Sequence, residues 1–218
     1  ARITARASPE LVSRGFRVGQ IASSSLVSLA HGTNDAQKTM GIITLALIVN
    51  HDLTPRSGTP RWVVALCATA IAVGTYTGGW RIIRTLGRRV TSLGPAQGFA
   101  AEATTSAVIL GAASMGYAVS TTQASSGSIV GVGLGRRTPV RWRVVGRMLV
   151  AWLLTIPCGA ACGGVAVAVA DGVGGLPGVT VTTAGAAVIF GALYAISRRA
   201  PVTARNVNAP DAVPGASP

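Results

Sequence analysis

Asn34, Asp35, Gln37 and Lys38 place two amides, a carboxylate and an ammonium within five consecutive positions of the run His31-Gly32-Thr33-Asn34-Asp35-Ala36-Gln37-Lys38-Thr39-Met40-Gly41. Apolar stretches flank the run on both sides, from Ile21 to Ala30 and from Ile42 to Val49. Lys38 is the only lysine of the chain, every other basic residue except the histidines being arginine. Ionisable side chains at membrane depth cost a few kcal/mol each on insertion scales, so they mark functional sites by default. An acid and a base sharing that depth, among glycines that permit irregular backbone, have the chemistry to bind a charged solute.

Two further groups belong with this run. Glu102, in Gly98-Phe99-Ala100-Ala101-Glu102-Ala103-Thr104-Thr105-Ser106, is the second acid expected at membrane depth. Alone it can reach the interface; together with Asp35 it supplies the paired carboxylates that cation coupling needs, whether for sodium or for a proton. Ser120-Thr121-Thr122 precedes a helix expected over the rest of 117–135. Hydroxyls there either cap the helix or, with its free N–H groups, hold an oxyanion. Gly127, Gly131 and Gly135 recur every four residues and allow that helix to approach a neighbour closely.

Other polar residues carry less. His31 and Asp35 are four apart and suit one helix face, but two ligands do not make a metal site. His51, Asp52 and Asp171 read as solvated loop or turn residues. Cys67, Cys158 and Cys162 give no disulfide framework and no metal-ligand set, and read as small packing residues. No metal or cofactor is expected beyond a coupling ion.

The elements that must position these groups follow from composition. Of 218 residues 49% are hydrophobic and 11% charged, with a mean hydropathy of +0.51. A soluble domain carries about 25% charged residues. Trp62 to Trp80, Met148 to Ala170 and Gly172 to Ser197 are uncharged, each long enough to cross a hydrocarbon core of about 30 Å as a helix. The expected fold is all-α and polytopic, in a cell (inner or plasma) membrane. The net charge of +13 is concentrated in loops: Arg81, Arg84, Arg88 and Arg89, then Arg136, Arg137, Arg141, Arg143 and Arg147, then Arg198, Arg199 and Arg205. Loop-confined arginine follows the positive-inside rule and argues against nucleic acid as the partner.

Apolar runs divide the chain into segments 17–50, 62–80, 95–113, 117–135, 145–170 and 178–197. Residues 1–15 read as linker, 16–197 as the transmembrane region and 198–218 as a disordered cytoplasmic tail. With all three arginine loops on one side, the intervening segments pair as 95–113 with 117–135 and 145–170 with 178–197. A continuous helix over 17–50 would be about 50 Å long, so either a break or bend near Gly32 to Asp35 or a long tilted helix is expected, the break being the favoured of the two.

With 31–41, Glu102 and 117–135 together, the chain resembles the C-terminal half of the inorganic phosphate transporter (PiT) family. That family carries a Gly-x-Asn-Asp signature in each of two inverted halves, the second reading His-Gly-Ser-Asn-Asp-x-Gln-Lys-x-Met-Gly. Here Thr33 replaces the serine. The later hydroxyl and glycine stretch appears as Ser120-Thr121-Thr122-Gln123, Gly127 and Gly131-Val132-Gly133, with Gln123 where histidine is frequent. The resemblance runs from about 16 to 197.

It implies one half of an inverted-repeat secondary transporter with broken or re-entrant helices, moving inorganic phosphate by proton or sodium symport. It implies phosphate binding by Asn34, Ser120, Thr121 and Thr122 with Gln37 and Lys38, and cation coupling at Asp35 and Glu102. Lys38 would contact phosphate, neutralise Asp35 or snorkel to the interface. No second Asn-Asp signature is present, so a separate N-terminal half or a second copy would complete the site. Two rivals stand beside this reading: a truncated half that does not transport, and an intramembrane hydrolase built on His31 and a serine, for which no Gly-x-Ser-x-Gly elbow is present.

Overall fold

The structure is a computed structural model that describes residues 9–198, 202–203 and 206–207. The described residues hold seven α-helices and no strand. The chain divides into two compact units between Arg141 and Trp142.

The first unit begins with α1 (Pro9–Val49), a single helix of 41 residues. Pro9 suits a first helical position and Glu10 suits the first turn, where a carboxylate meets the positive end of the helix dipole. The helix therefore starts inside the stretch read as linker. It also runs unbroken through Gly32 to Asp35, where a break was expected. No proline interrupts positions 10–49. A lone glycine costs a helix only about 1 kcal/mol, less than the packing of α1 along α4 can offset.

The break lies elsewhere. Helix α2 (Arg61–Gly78) is followed by α3 (Trp80–Arg84), and Thr85–Arg89 widen into a π turn. The axis turns by 55° between α2 and the stretch Trp80–Arg89. Adjacent glycines, Gly78 and Gly79, sit at the bend and explain it. Helix α4 (Pro95–Ser114) starts with proline at its first position and ends at Gly116, whose φ of 81° closes a Schellman motif through Tyr117 N–H to the Ala112 carbonyl. An extended link then leads to α5 (Thr121–Gly135).

Packing in this unit is inverted relative to a water-soluble domain. Ser23, Asn34, Thr105, Ser106, Thr121 and Ser126 are buried, whereas Ile21, Ile42, Leu45 and Tyr76 are exposed. Small polar residues let the backbones approach, and their hydroxyls bond back to carbonyls, as Thr105 does to Ala101 and Ser126 to Thr122. Phe99 lies against Gly19 and its ring is 6.1 Å from that of Phe16. Ala36, Val63 and Cys67 form an apolar seam between α1 and α2 with Met40, Ile43 and Leu47.

The second unit pairs α6 (Trp142–Val173) with α7 (Gly175–Ser197). Gly174 and Gly175, both at positive φ, make the tight reversal between them. A Cβ on Gly178 would strike the Ala170 carbonyl, so glycine is required there. Asp171 lies in the last turn of α6 rather than in the reversal itself. These two helices are long and apolar enough to cross a membrane, with mean hydropathies of 2.0 and 1.8; the bent α2–α3 pair, taken as one span, is a third. The residues expected as a disordered tail, 198–218, fall almost wholly outside the described residues.

Candidate functional site

One turn of α1 and the start of α5 meet at Asp35. Its Oδ1 accepts from Asn34 Nδ2 at 2.9 Å and from Lys38 Nζ at 2.9 Å. Its Oδ2 accepts from Thr121 Oγ1 at 3.2 Å and lies 3.1 Å from His31 Nε2. Helical spacing brings His31 and Lys38 to the acid from either side, one turn before and one turn after. Thr121 comes from a different helix and ties the two elements together.

The link before α5 supplies a second tie. The Val119 carbonyl accepts from both Asn34 Nδ2 and Lys38 Nζ, each at 2.8 Å. Asn34 is 3% exposed and spends both of its amide hydrogens on this junction. A buried amide so placed fixes geometry, because any displacement strands a donor at about 1–3 kcal/mol. A carboxylate offers about four acceptor positions, and Asp35 has four neighbours at hydrogen-bonding distance.

A cleft of about 650 Å³ opens beside this junction, lined on its polar side by Ser28, His31, Asp35, Thr121, Thr122 and Ser125. The bend at Gly78 and Gly79, with Ile82, Ile83 and Leu86, closes its apolar side. Ser120 caps α5, its Oγ accepting from the Gln123 N–H at 3.3 Å. Of the expected anion-binding residues, Thr121 and Thr122 therefore line the cleft, and Ser120 has a capping bond that holds the helix end in place. Gln37 is exposed and does not line the cleft.

Glu102 is not brought to Asp35. It accepts from Ser23 Oγ at 2.6 Å. Ser23 is twelve positions before Asp35 on one unbroken helix, about 18 Å along the axis. Glu102, on α4, thus meets α1 about 18 Å from Asp35 along the axis, and the two carboxylates do not gather about one position. Ser106, fully buried, donates to the Glu102 carbonyl, and the Gln20 amide packs over Gly98 one turn before. Among the described residues no three His, Cys, Asp or Glu side chains gather as a metal site.

Two participants carried no signal in the sequence. Val119 acts through its backbone, which residue type does not reveal. Ser23 is one of three consecutive serines, and only the packing of α1 on α4 selects it; Ser24 and Ser25 bond to the Ile21 carbonyl instead.

The Phosphate transporter family matches residues 2–163. A "probable low-affinity inorganic phosphate transporter" of Mycobacterium bovis is 50% identical over 210 residues, covering 95% of this chain and 50% of that protein. A protein of the same name from Bacillus subtilis is 45% identical over 152 residues, covering 69% of this chain and 46% of that protein. The solved structure titled "The sodium-dependent phosphate transporter" superposes with a TM-score of 0.61 at 27% identity, over 72% of this chain and 40% of that one. The chain spans about half the length of these relatives. It belongs to the phosphate transporter family.

Proposed function

We propose that the chain is one half of an inverted-repeat carrier that moves inorganic phosphate across the cell (inner or plasma) membrane by symport with a proton or sodium. The observation that carries this reading is Asp35, surrounded by four polar neighbours from two helices beside a cleft lined with hydroxyls. Family membership supplies the substrate class, and the sodium-dependent neighbour favours cation coupling. Enzymatic chemistry has no comparable support, since the relatives carry transporter names.

In this reading Thr121, Thr122 and the free N–H groups at the start of α5 receive phosphate oxygens. Ser120 and Asn34 hold the helix end and the α1 turn in register. Lys38 serves both solutes: it neutralises Asp35 in the resting arrangement and turns toward phosphate when the anion arrives. Losing that ammonium leaves the carboxylate free for a cation, which couples the two solutes through one side chain. Glu102, with a single hydroxyl neighbour, is the second cation position. Gln37, exposed on α1, is left to meet phosphate from the opposite half. Several crossings with the arginine loops on the cytoplasmic side follow from the positive-inside rule.

The half-length match favours a specific variant of this reading, in which the chain transports only with a separate N-terminal repeat or a second copy. Labelled phosphate uptake into proteoliposomes tests both, with sulfate as the control solute. Selective uptake by the chain alone means two copies complete the site. Uptake only when an N-terminal half is co-reconstituted means the halves are complementary. Equal sulfate and phosphate uptake, or none in either preparation, overturns the proposal.

A further inference from the structure

Two arginine-bearing segments far apart in the sequence are joined into one surface in the first unit. The Arg141 N–H donates to the Val90 carbonyl at 2.9 Å. The Thr91 hydroxyl lies 3.1 Å from the Pro139 carbonyl and 3.3 Å from Thr138 Oγ1. Val90 is fully buried and Thr91 is 2% exposed. A Cβ on Gly133 would lie 3.0 Å from Val140 and 3.4 Å from Thr91, so α5 is packed onto the same knot. The segment ending in Arg88 and Arg89 is thereby held against the segment Arg136–Arg141. Arg136, Arg137 and Arg141 are exposed, and the sequence holds no acid between Asp52 and Glu102 or between Glu102 and Asp171.

Arg137 adds an independent mark. It occupies the C′ position after α5 with φ of 55°, and the Schellman bonds around it are formed: Thr138 N–H to the Gly133 carbonyl and Arg137 N–H to the Leu134 carbonyl. That position favours glycine, and an L residue is strained there. Glycine is abundant in this chain, so an arginine held at a strained position points to a use for its side chain.

The setting selects the ligand. Leu134 is exposed two residues before Arg136, so the surface has an apolar edge on one side and guanidinium groups on the other. Clustered basic residues at the cytoplasmic ends of membrane helices meet anionic headgroups, and guanidinium pairs with phosphate oxygens bidentately. We propose that the joined segments form a binding site for the phosphate of an anionic phospholipid headgroup, centred on Arg136, Arg137 and Arg141. Arg88 and Arg89 add positive charge at its border. The site is distinct from the Asp35 cleft and does not depend on what the carrier transports.

The test is native mass spectrometry of the full chain released from nanodiscs made of equal parts phosphatidylglycerol and phosphatidylcholine. The unmodified chain is expected to retain phosphatidylglycerol over phosphatidylcholine. The combined variant Arg136→Gln, Arg137→Asn, Arg141→Gln should lower that preference by about fivefold per arginine removed. Lysine at the same three positions should keep most of it. Arg137→Gly alone should raise the melting temperature while lowering retention, which separates binding from folding. The pair Arg56→Gln and Arg61→Gln, in another loop and helix start, should leave retention unchanged. Equal retention by the neutral triple variant, an equal loss from the Arg56 and Arg61 pair, or displacement of the lipid by millimolar inorganic phosphate would each overturn the assignment; the last outcome would make this a site for the free anion.

Discussion

Asp35 and Glu102 are both carboxylates on helices of the first unit, yet their surroundings have little in common. Asp35 has two amines or imidazoles, an amide and a hydroxyl around it, from two helices. Glu102 has one hydroxyl, donated by Ser23 at 2.6 Å. A carboxylate with every acceptor position filled organises structure, and a ligand reaches it only by displacing a donor. A carboxylate with one donor keeps lone pairs for an ion. The difference lies in the surroundings: Asp35 ties α1 to α5 through Thr121, whereas Glu102 meets one hydroxyl among the described residues.

The severest break of this comparison is Asp35→Asn. The shape is preserved, but the replacement turns an acceptor into a donor facing other donors and leaves Lys38 without its counter-charge. Phosphate uptake by the assembled carrier should fall by about 100-fold or more, as two hydrogen bonds to a charged group are each worth about 1.5–3 kcal/mol. Initial rates of labelled uptake, normalised to the amount of inserted protein, check this. A rate near that of the parent chain would remove Asp35 from the mechanism.

Glu102→Gln should cost less, about 10-fold, because one hydrogen bond to a charged group, at the lower end of about 1.5–3 kcal/mol, is weakened at one place and the α1–α5 junction stays intact. Its signature should be a flattened dependence of uptake on the coupling cation, with little change in phosphate half-saturation. Varying sodium at fixed pH and pH at fixed sodium then identifies the ion. A variant that lost phosphate affinity instead would merge the two acids into one role.

Lys38→Met sharpens the contrast further. The apolar stem is retained while the ammonium that bridges Asp35 and the Val119 carbonyl is lost. Uptake should drop by about 10-fold or more, the equivalent of at least one of its two charge-assisted hydrogen bonds. More tellingly, the half-saturating phosphate concentration should stop depending on the cation concentration. Preserved dependence would show that Lys38 does not link the two solutes.

How much of this was legible before folding varied with the kind of signal. The run from His31 to Lys38 was legible because charged and amide side chains inside apolar sequence have few other uses. The all-helical class and the reversal between α6 and α7 were legible for a similar reason: uncharged runs and paired glycines are local features. The break in the helix was misplaced. Gly32 is a lone glycine within α1, followed by Thr33, whose Oγ1 donates to the Leu29 carbonyl, whereas Gly78 and Gly79 put two helix-weakening residues side by side. Asp35 and Glu102, read together as cation-coupling acids, stand apart in the structure, because Ser23, which meets Glu102, is twelve positions before Asp35 on one unbroken helix. Ser23 was out of reach of any local rule, since three identical residues in a row differ only in what faces them across α4.

The smallest expected effect is also the most discriminating. Ser23→Ala removes one oxygen and leaves no cavity worth a water, so α1 and α4 should pack as before. Ser23 is 6% exposed, and its hydroxyl lies between the Gln20 carbonyl at 3.1 Å and Glu102 Oε2 at 2.6 Å; the shorter distance assigns its hydrogen to the acid. If Glu102 holds the coupling cation, the serine oxygen beside it contributes one of the oxygen ligands and orients the carboxylate. Its loss should raise the half-saturating cation concentration by about threefold to tenfold, roughly one modest hydrogen bond's worth, with the rate at saturating cation unchanged. Asp35 is about 18 Å away along α1, so phosphate half-saturation at saturating cation should not move. A loss of maximal rate with unchanged cation dependence would mean that Ser23 only joins two helices and that Glu102 does not hold the coupling cation.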